Sequence, residues 1–248
     1  MRIKLTGRYL EDIKPFLESG GFELVEEAPE LIITHGGDGT MLGSEREFPG
    51  IPKFPIRDRR TAPLCPEHDY EKQIEALRSG RLKKTELMKL AGISGSSKLS
   101  GMNDIFIHNK DRVSAVRYRV WINNVLYAEE IVGDGAGVAT VHGSTAYYRS
   151  ITHSVFRVGI GLAFSNSTEV TNHMVLPEDS IIKILILRGP AIMVADNSSE
   201  CIDLNQGDEI TIVKIPDQVT VYGLDMFMCQ KCRRLRYSHK YKLIDSKL

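Results

Sequence analysis

The stretch LIITHGGDGTML, residues 31–42, contains the residue types that phosphate chemistry requires. Gly36, Gly37 and Gly39 let backbone N–H groups approach an anion, and they allow the tight turn that joins a strand to a helix. Asp38 lies among these glycines. At an effective dielectric constant of about 20, two like charges about 4 Å apart repel by about 4 kcal/mol, so this carboxylate is not expected to face a polyphosphate directly.

Two roles would bring the Asp38 carboxylate into a phosphate site. It can meet a metal ion, or it can accept the proton of a substrate hydroxyl. Both roles predict phosphoryl transfer to an alcohol. The loop alone leaves a third interpretation open, in which Asp38 only caps the following helix. The loop is not a Walker sequence, because no Lys follows its last glycine, and it lacks the GxGxxG spacing of dinucleotide-binding folds.

The elements around this loop predict a parallel α/β domain. The apolar run at 31–34 is typical of a buried strand. Further strands are predicted at 2–5, 22–25 and 53–56, and helices at 9–18 and 70–79. Ligands bind at the carboxyl ends of the strands in such sheets, which is where the glycine-rich loop would lie.

The second half of the chain predicts a β-sandwich. From Leu82 onward, helical spacing gives way to short β-rich segments separated by turn residues. Strands are predicted at 86–90, 104–108, 113–121, 125–132, 137–140, 181–187, 192–195, 209–213 and 219–224, and a Gly/Ser-rich loop at 94–100. The predicted domains are therefore 1–82 and 83–224, with a segment at 225–248 that can pack back on the first domain.

Composition argues against several classes of partner. The 248 residues contain 32 basic and 32 acidic side chains, so the net charge of zero makes no electrostatic case for a nucleic acid or an anionic membrane. The N-terminus lacks the apolar region of a signal peptide, and no apolar run approaches the length of a membrane span. We therefore expect a cytoplasmic protein.

The four cysteines are too few and too scattered for a disulfide framework. Cys229 and Cys232 have the spacing of half a zinc knuckle, but no second pair follows them. Cys65 and His239 would have to come from distant parts of the chain. Reduced thiols are the favoured interpretation.

A second glycine-rich cluster, GDGAGVATVHGSTAYY, occupies residues 133–148. Ser144 or Thr145 can cap a short helix that begins near Ala146, which would aim N–H groups and hydroxyls at a polar ligand. Taken alone, the two hydroxyl residues are better explained as simple caps.

Together, the motifs resemble the NAD kinase family. The resemblance rests on Gly36-Gly37-Asp38-Gly39-Thr40, Asn103-Asp104, Asp134-Gly135, Gly143-Ser144-Thr145-Ala146-Tyr147 and, more loosely, the stretch ending in Leu176-Pro177. Their order and approximate spacing match the family over most of the chain. Diacylglycerol and sphingosine kinases share the GGDGT loop, but they do not have the GSTAY element in this form.

The resemblance implies a Rossmann-like N-terminal α/β domain, a β-sandwich domain and an active site in the cleft between them. It also implies transfer of the γ-phosphoryl group of ATP, or in some members of polyphosphate, to the 2′-hydroxyl of the adenosine ribose of NAD. Mg²⁺ or another divalent metal would assist. A homodimer or homotetramer with shared active sites is expected, with no nucleic acid or membrane as partner.

The resemblance also assigns site residues by matching position. Asp38 would be the catalytic carboxylate, and Gly36, Gly37, Gly39 and Thr40 would handle the phosphates of ATP. NAD would be bound by Asp38, Gly39, Asn103, Asp104, Asp134, Thr145, Ala146, Tyr147, Ser165, Ser167 and Asn197. The metal ligands are not assigned.

The chain departs from the family pattern at several positions. Asp104 stands where members have Glu, and Val141-His142 follows Thr140 where members have Pro-Thr or Pro-Ser. The segment 51–66 replaces a glycine-rich, Phe-containing one, which leaves Phe54 as the candidate aromatic contact to nicotinamide. Two alternatives stay open: a kinase for a lipid or other alcohol, since such kinases share the GGDGT loop, and a weakened sensor that binds NAD or ATP, which the departures at Asp104, Val141 and His142 suggest.

Four further residues are considered beside the motifs. Arg57, Arg59 and Arg60 could bind ATP phosphates, and a solvated loop is an equal alternative. His35 is expected to be hydrogen-bonded structure.

Overall fold

The computed structural model describes residues 1–111 and 113–236. The chain divides into two compact units, the first formed by residues 1–86 together with residues from 219 onward, and the second by residues 87–218. The sequence places these boundaries at 82/83 and 224/225 instead. The difference arises because two long strands, Lys84–Ser94 and Glu209–Tyr222, each run from one unit into the other.

The strands in the described residues are β1 (Arg2–Gly7), β2 (Glu23–Leu24), β3 (Leu31–His35), β4 (Lys53–Ile56), β5 (Lys84–Ser94), β6 (Ser97–Gly101), β7 (Asp104–Asn109), β8 (Val116–Ile122), β9 (Val125–Gly133), β10 (Gly135–Ala139), β11 (Ile160–Ser165), β12 (His173–Leu176), β13 (Ile182–Arg188), β14 (Ala191–Ala195), β15 (Cys201–Leu204) and β16 (Glu209–Tyr222). The α-helices are α1 (Lys14–Ser19), α2 (Asp38–Glu47), α3 (Tyr70–Arg78), α4 (Tyr147–Thr152) and α5 (Leu224–Phe227), and residues 230–236 are also helical. Short 3₁₀ turns span Leu10–Asp12 and Gly143–Thr145.

The first unit is the predicted parallel α/β domain. Its strands lie in the order β2-β1-β3-β4, and the end of β16 adds to β4, with every pair parallel. Apolar residues of the strands and of α1 and α3 form its core, including Ile33, Phe54 and Leu77. The sheet is buried because helices cover it, as parallel sheets require.

The predicted helix at 9–18 is wrong in its first half. A 3₁₀ turn spans Leu10–Asp12, and α1 begins only at Lys14. Pro15 is the second residue of α1, where the N–H that proline lacks would have no intrahelical partner. The proline therefore marks the start of the helix instead of interrupting it.

The second unit is a β-sandwich, as the sequence predicts. One sheet contains the first part of β16, then β13, β8 and β9, and the other has the order β12-β11-β10-β7-β14-β15. The pairings within each of these two sheets are antiparallel. Apolar residues from both sheets share one core, for example Ile105 and Val138 from one and Ile184 and Val120 from the other.

Several strands of this unit differ from the prediction. The expected Gly/Ser-rich loop forms a hairpin, in which β5 pairs with β6 around a turn at Gly95 with φ +56°. Strands β11, β12 and β15 are not in the prediction. The two strands expected at 209–213 and 219–224 are one, because β16 continues through Pro216 where the chain is exposed.

In the part of the chain that the structure describes, no helix has both the length and the apolar character needed to cross a membrane.

Candidate active site

The glycine-rich loop joins β3 directly to the start of α2. Strand β3 ends at His35 and α2 begins at Asp38, so Gly36 and Gly37 make the whole connection. A Cβ atom on Gly36 would lie 2.3 Å from the Thr40 hydroxyl oxygen, which excludes any larger residue there. The first turn of α2 provides N–H groups and the positive end of the helix dipole, and both favour a phosphate group.

Asp38 is the first residue of α2, and the N-cap position before it is occupied by Gly37, which has no side chain to accept a capping hydrogen bond. Its carboxylate is paired with Arg57 through two hydrogen bonds, Nη1 to Oδ2 and Nη2 to Oδ1, both 3.2 Å long. The Asp38 side chain is 51% exposed and the Arg57 side chain 10%. Each carboxylate oxygen keeps a further lone pair, so Asp38 is oriented and still accessible to a substrate hydroxyl.

Arg57 is itself held in place by residues at the C-terminal end of the described chain. Its Nε donates to the Phe227 carbonyl oxygen at 3.3 Å, and its guanidinium lies 3.8 Å from the centroid of the Phe227 ring. Nη2 also approaches the Met228 sulfur at 4.0 Å. A planar guanidinium suits this combination of bidentate pairing and ring stacking, and a lysine could not reproduce it.

The three arginines considered for ATP phosphates do not act together. Arg57 pairs with Asp38, whereas Arg60 binds Asp12 and Glu11. Arg59 stacks 3.9 Å from the centroid of the Tyr70 ring. The prediction of a phosphate-binding arginine cluster is therefore not supported by the geometry, since two of the three bind carboxylates of this unit.

A buried ion pair anchors α2, the helix that follows the glycine-rich loop. Lys53 Nζ donates to Glu45 Oε2 at 2.6 Å, and both side chains are almost fully buried. The same ammonium group donates to the carbonyl oxygens of Phe48 and Ile51, each at 2.6 Å. Because Lys53 belongs to β4 and Glu45 to α2, this pair fixes the helix against the sheet.

His35 and Phe54 are structural residues. The His35 ring approaches the Arg8 carbonyl oxygen through Nδ1 at 2.6 Å and the Tyr70 hydroxyl through Nε2 at 2.7 Å, as the prediction of a hydrogen-bonded histidine requires. Phe54 is fully buried in the core of the first unit. It is therefore wrong as the candidate contact to nicotinamide.

Two of the predicted NAD-binding residues of the second unit, Asp104 and Tyr147, lie on the outer face of its six-stranded sheet. Ile105 and Ile107 of β7 point into the sandwich core, so Asp104, Phe106 and His108 point to the other face. The Tyr147 ring packs against that face, with centroids 4.8 Å from the Phe106 ring and 5.3 Å from the His108 ring. The predicted site does not include Phe106 or His108, although alternation along β7 places both beside Asp104.

At one end of this face, the Asn103-Asp104 and Gly143–Tyr147 motifs meet. A Cβ atom on Gly143 would lie 2.0 Å from the Asn103 carbonyl oxygen, so only glycine allows this approach. Thr140 links the two motifs, since its hydroxyl donates to Met102 O at 2.7 Å and accepts from Gly143 N at 3.1 Å. Asn103 Oδ1 is buried and accepts no hydrogen bond within the described residues.

The Asp196 carboxylate holds the backbone of residues 102–104 at the same end of this face. It accepts hydrogen bonds from the backbone N–H groups of Met102, Asn103 and Asp104, at 3.0, 2.7 and 3.2 Å. Asn197, a predicted site residue, follows it directly in the chain. Asp196 does not appear in the predicted site, and its role here is to hold the Asn103-Asp104 backbone.

The predicted hydroxyl caps near Ala146 are wrong. The Ser144 hydroxyl donates to Val141 O at 2.7 Å and to Phe156 O at 3.2 Å, and the Thr145 hydroxyl donates to His142 O at 3.4 Å. Neither side chain accepts a hydrogen bond from an N–H group at the start of α4. Both hydroxyls donate to carbonyl oxygens three residues earlier in the chain, because a 3₁₀ turn, Gly143–Thr145, precedes the helix.

At the other end of the face, Asp134 meets Ser165 and its neighbours. The Asp134 N–H donates to Ser165 O at 2.9 Å, and Asn166 Nδ2 donates to Asp134 Oδ2 at 2.8 Å. The Ser167 hydroxyl accepts from Glu169 N at 3.3 Å. Asp134 directly precedes β10 and Ala139 at its end pairs with Asp104, so five steps of about 3.4 Å along the strand separate the two polar ends by about 17 Å, with the aromatic rings between them.

The carboxyl group of Asp104 has a strongly raised pKa. Burial, with a contribution from the Asp196 charge, raises the pKa of Asp104 from 3.8 to about 7. Between these values the folded chain retains a proton that the unfolded chain has lost. The contribution of Asp104 to the free energy of unfolding is therefore fully present below pH 3.8, and it is lost as the pH rises through about 7.

We expect Asp104→Asn to flatten the pH dependence of stability. From about pH 5 to about pH 8, the free energy of unfolding of the unaltered chain should fall by about 2.7 kcal/mol relative to the variant, because about two of these pH units lie below the folded-state pKa of about 7 and each contributes about 1.36 kcal/mol. Urea denaturation at both pH values measures this difference. Asp203→Asn, at an exposed position, serves as control. Parallel pH profiles for Asp104→Asn and the unaltered chain would contradict the assignment.

Comparison with known proteins supports the family resemblance. The chain is 32% identical to an NAD kinase of Clostridium botulinum over 144 residues, which cover 54% of this chain and 51% of that protein. It is 28% identical to an NAD kinase of Chloroflexus aurantiacus over 225 residues, which cover 84% of this chain and 81% of that protein. The chain thus spans about half the length of the clostridial relatives and most of the Chloroflexus one. No family model matches it.

Solved structures have the same fold. An NAD kinase from Archaeoglobus fulgidus in complex with ATP matches with a TM-score of 0.77 and 19% identity, over 94% of this chain and 99% of that one. Yeast NADH kinase complexed with NADH matches with a TM-score of 0.75 and 18% identity, over 90% and 83%. In sequence and in fold, the chain is similar to the NAD kinases.

Proposed function

We propose that the chain is an ATP-dependent NAD kinase, which transfers the γ-phosphoryl group of ATP to the 2′-hydroxyl of the adenosine ribose of NAD. The observation that carries this proposal is the Asp38 carboxylate at the start of α2, half exposed and oriented on both oxygens by Arg57. Such a carboxylate beside an anion-binding helix start suits a reaction between a phosphate and a hydroxyl. The similarity to curated NAD kinases supports the choice of substrate.

In the proposed reaction, the ribose 2′-oxygen forms a bond to the γ-phosphorus as the bond from that phosphorus to the bridging oxygen of ADP breaks. Asp38 accepts a hydrogen bond from the hydroxyl and takes its proton late in the transfer. Phosphoryl transfer depends mainly on alignment and on stabilising charge on the equatorial oxygens. The N–H groups of residues 36–40 supply that stabilisation, and Arg57 keeps the carboxylate aligned.

A divalent cation such as Mg²⁺ would be bound at this site mainly by the phosphates of the donor, with few ligands from the protein. Asp38 is the one acidic residue of the loop at 36–40, and magnesium is commonly bound by one or two carboxylates plus substrate phosphates. When bound, the ion would neutralise charge on the β- and γ-phosphate oxygens.

The outer face of the six-stranded sheet is the proposed NAD-binding surface of the second unit. The buried and unpaired Asn103 Oδ1 would accept from an adenine or ribose donor, and the exposed Tyr147 ring, which packs on the buried Phe106 and the partly buried His108, offers an aromatic surface for a base. Asp134, with Ser165 and Ser167 beside it, would bind ribose or nicotinamide groups. Thr145, Ala146 and Asn197 complete the proposed contacts.

Three further properties belong to the same proposal. We expect a homodimer or homotetramer in which Asp134 serves a neighbouring subunit, a cytoplasmic location, and ATP as donor in preference to polyphosphate. The complex of the archaeal structure with ATP supports the donor. Size-exclusion chromatography with light scattering would measure the oligomer.

Incubation with ATP, Mg²⁺ and NAD, followed by an NADP-specific detection, tests the proposal. We expect NADP to form at a rate that rises to saturation in both substrates. Tight NAD binding without turnover would instead support the sensor, and turnover only with a lipid diol would support the lipid kinase. NADH and polyphosphate in parallel reactions establish acceptor and donor preference.

A further inference from the structure

Two short segments of the first unit bring four metal-ligating side chains together. One is Cys65-Pro66-Glu67-His68, and the other is Cys229-Gln230-Lys231-Cys232. One potential ligand atom from each of Cys65, His68, Cys229 and Cys232 lies within 4.8 Å of all the others. Cys65 and Cys232 are buried, and the other two are partly buried.

The three distances among Cys65, His68 and Cys232 match edges of a tetrahedron around a zinc ion, and Cys229 Sγ lies within 4.8 Å of each of the other ligand atoms. With Zn–S bonds of about 2.3 Å and Zn–N bonds of about 2.0–2.1 Å, tetrahedral ligands lie about 3.8 Å apart for two sulfurs and about 3.6 Å for sulfur and nitrogen. Here the Cys65 and Cys232 sulfurs are 3.5 Å apart. The His68 Nδ1 atom lies 3.6 Å from Cys65 Sγ and 3.9 Å from Cys232 Sγ.

Neighbouring groups hold the first segment in this conformation. The His68 N–H donates to Cys65 O at 2.9 Å, which closes the turn between the two ligands. Gln73 of α3 donates to His68 O at 2.7 Å, and the Lys72 ammonium donates to Pro66 O. The turn is thus fixed from α3 before any ion binds.

The second segment is positioned against the first. Residues 230–236 are helical, which places Cys232 in a first helical turn directly after Cys229. The Cys65 N–H donates to Cys232 Sγ at 3.3 Å, a hydrogen bond that suits a thiolate. Lys231 and Glu67, one in each segment, form an ion pair at 2.6 Å. These contacts align both cysteine-containing segments around one point.

We propose that Cys65, His68, Cys229 and Cys232 bind one zinc ion as a closed, four-coordinate structural site. Three soft sulfurs with an imidazole are a donor set typical of structural zinc. A disulfide between Cys65 and Cys232 would use only two of the four groups. The expectation of unconnected reduced thiols overlooks His68, which supplies the fourth ligand. His239, the histidine considered from sequence, lies outside the described residues.

The zinc site would stabilise the segment that orients the catalytic pair. Phe227 and Met228, which contact Arg57, immediately precede Cys229, and Arg57 orients Asp38. Fixing Cys229 and Cys232 to the 65–68 turn therefore restrains the Phe227 carbonyl that Arg57 uses. This coupling to turnover rests on the proposed function, whereas zinc binding does not.

Metal content tests the site directly. We expect the purified chain, after zinc addition and passage over a chelating resin, to retain one zinc per chain by plasma mass spectrometry. Cys229→Ser and Cys232→Ser should retain at least tenfold less. Cys201→Ser, which alters the exposed cysteine of β15, should retain one zinc and serves as control. Full retention by the two ligand variants, or less than a tenth of a zinc in the unaltered chain, would overturn the proposal.

Cobalt substitution and thiol counting separate a metal site from a redox pair. The Co²⁺-loaded chain should show intense visible bands of tetrahedral thiolate coordination, and His68→Cys should retain the ion with shifted bands. In the zinc form, an aromatic disulfide reagent should react rapidly with Cys201 alone, and with all four thiols after unfolding in chelator. A metal-free chain whose intact mass is two hydrogens low would instead identify a disulfide and overturn the site.

Melting temperature and kcat, each measured with and without zinc, show whether the ion stabilises the fold and supports turnover. Removal of zinc by chelator should lower the melting temperature by at least about 5 °C in the unaltered chain and leave that of Cys232→Ser unchanged. If the kinase proposal holds, chelation in the presence of excess Mg²⁺ should also lower kcat. Bound zinc in a chain without kinase activity would leave the metal site standing and contradict only the proposed function.

Discussion

Asp38→Asn should lower kcat for NAD phosphorylation by about 10²–10⁴-fold, the usual contribution of a positioned proton acceptor. The amide retains the shape of the carboxylate but cannot take the hydroxyl proton. It also offers Arg57 one acceptor oxygen instead of the two that receive hydrogen bonds at 3.2 Å. The KM for NAD should change little, because the loss occurs in the transition state. Initial rates over a range of NAD and ATP concentrations measure both constants.

Circular dichroism should show an unchanged fold for Asp38→Asn, since the side chain is half exposed. Asp217→Asn, an exposed position on β16, makes the same chemical change elsewhere and should retain full activity. The kcat of Arg57→Lys should lie between those of Asp38→Asn and Asp217→Asn, since a lysine retains the charge and loses the bidentate geometry. Near-normal turnover of Asp38→Asn would remove this residue from the mechanism.

Lys53→Met should lower the free energy of unfolding by about 3–5 kcal/mol, because it breaks the buried ion pair between Lys53 and the Glu45 carboxylate by removing the positive charge alone. The pair joins α2 to β4, so the loss should also reduce activity through the glycine-rich loop. Urea denaturation followed by far-UV circular dichroism measures the midpoint. The first unit should unfold at lower urea concentration than in the unaltered chain.

The double variant Glu45→Leu/Lys53→Met provides the matched control. Replacing both charges with apolar side chains of similar volume removes the desolvation cost along with the attraction, and such replacements are often neutral. The double variant should therefore be more stable than Lys53→Met alone. A double variant no more stable than the single one would show that the ammonium contacts to Phe48 O and Ile51 O, and not the ion pair, carry the effect.

Local sequence signals were sufficient for most of the strands and for the glycine-rich loop. The apolar run at 31–34 and the glycines after it specify β3 and the turn into α2, because backbone sterics and burial act over a few residues. Alternation likewise predicts β7 and β13 within a residue or two. These signals failed for β6 and for the continuous β16, because whether such a segment forms a strand depends on the neighbouring strand with which it pairs.

The chemistry of the site divides in the same way. By itself, the sequence determined that a carboxylate stands in a glycine-rich loop between a strand and a helix, that a second glycine-rich motif lies in a β-rich half, and that the motifs resemble one kinase family. Only the tertiary structure decided that Arg57 orients Asp38, that Tyr147 packs on Phe106 and His108, and that Cys65 and His68 meet Cys229 and Cys232. Residue type and spacing act locally, whereas each of these contacts joins segments that only the folded sheets bring together.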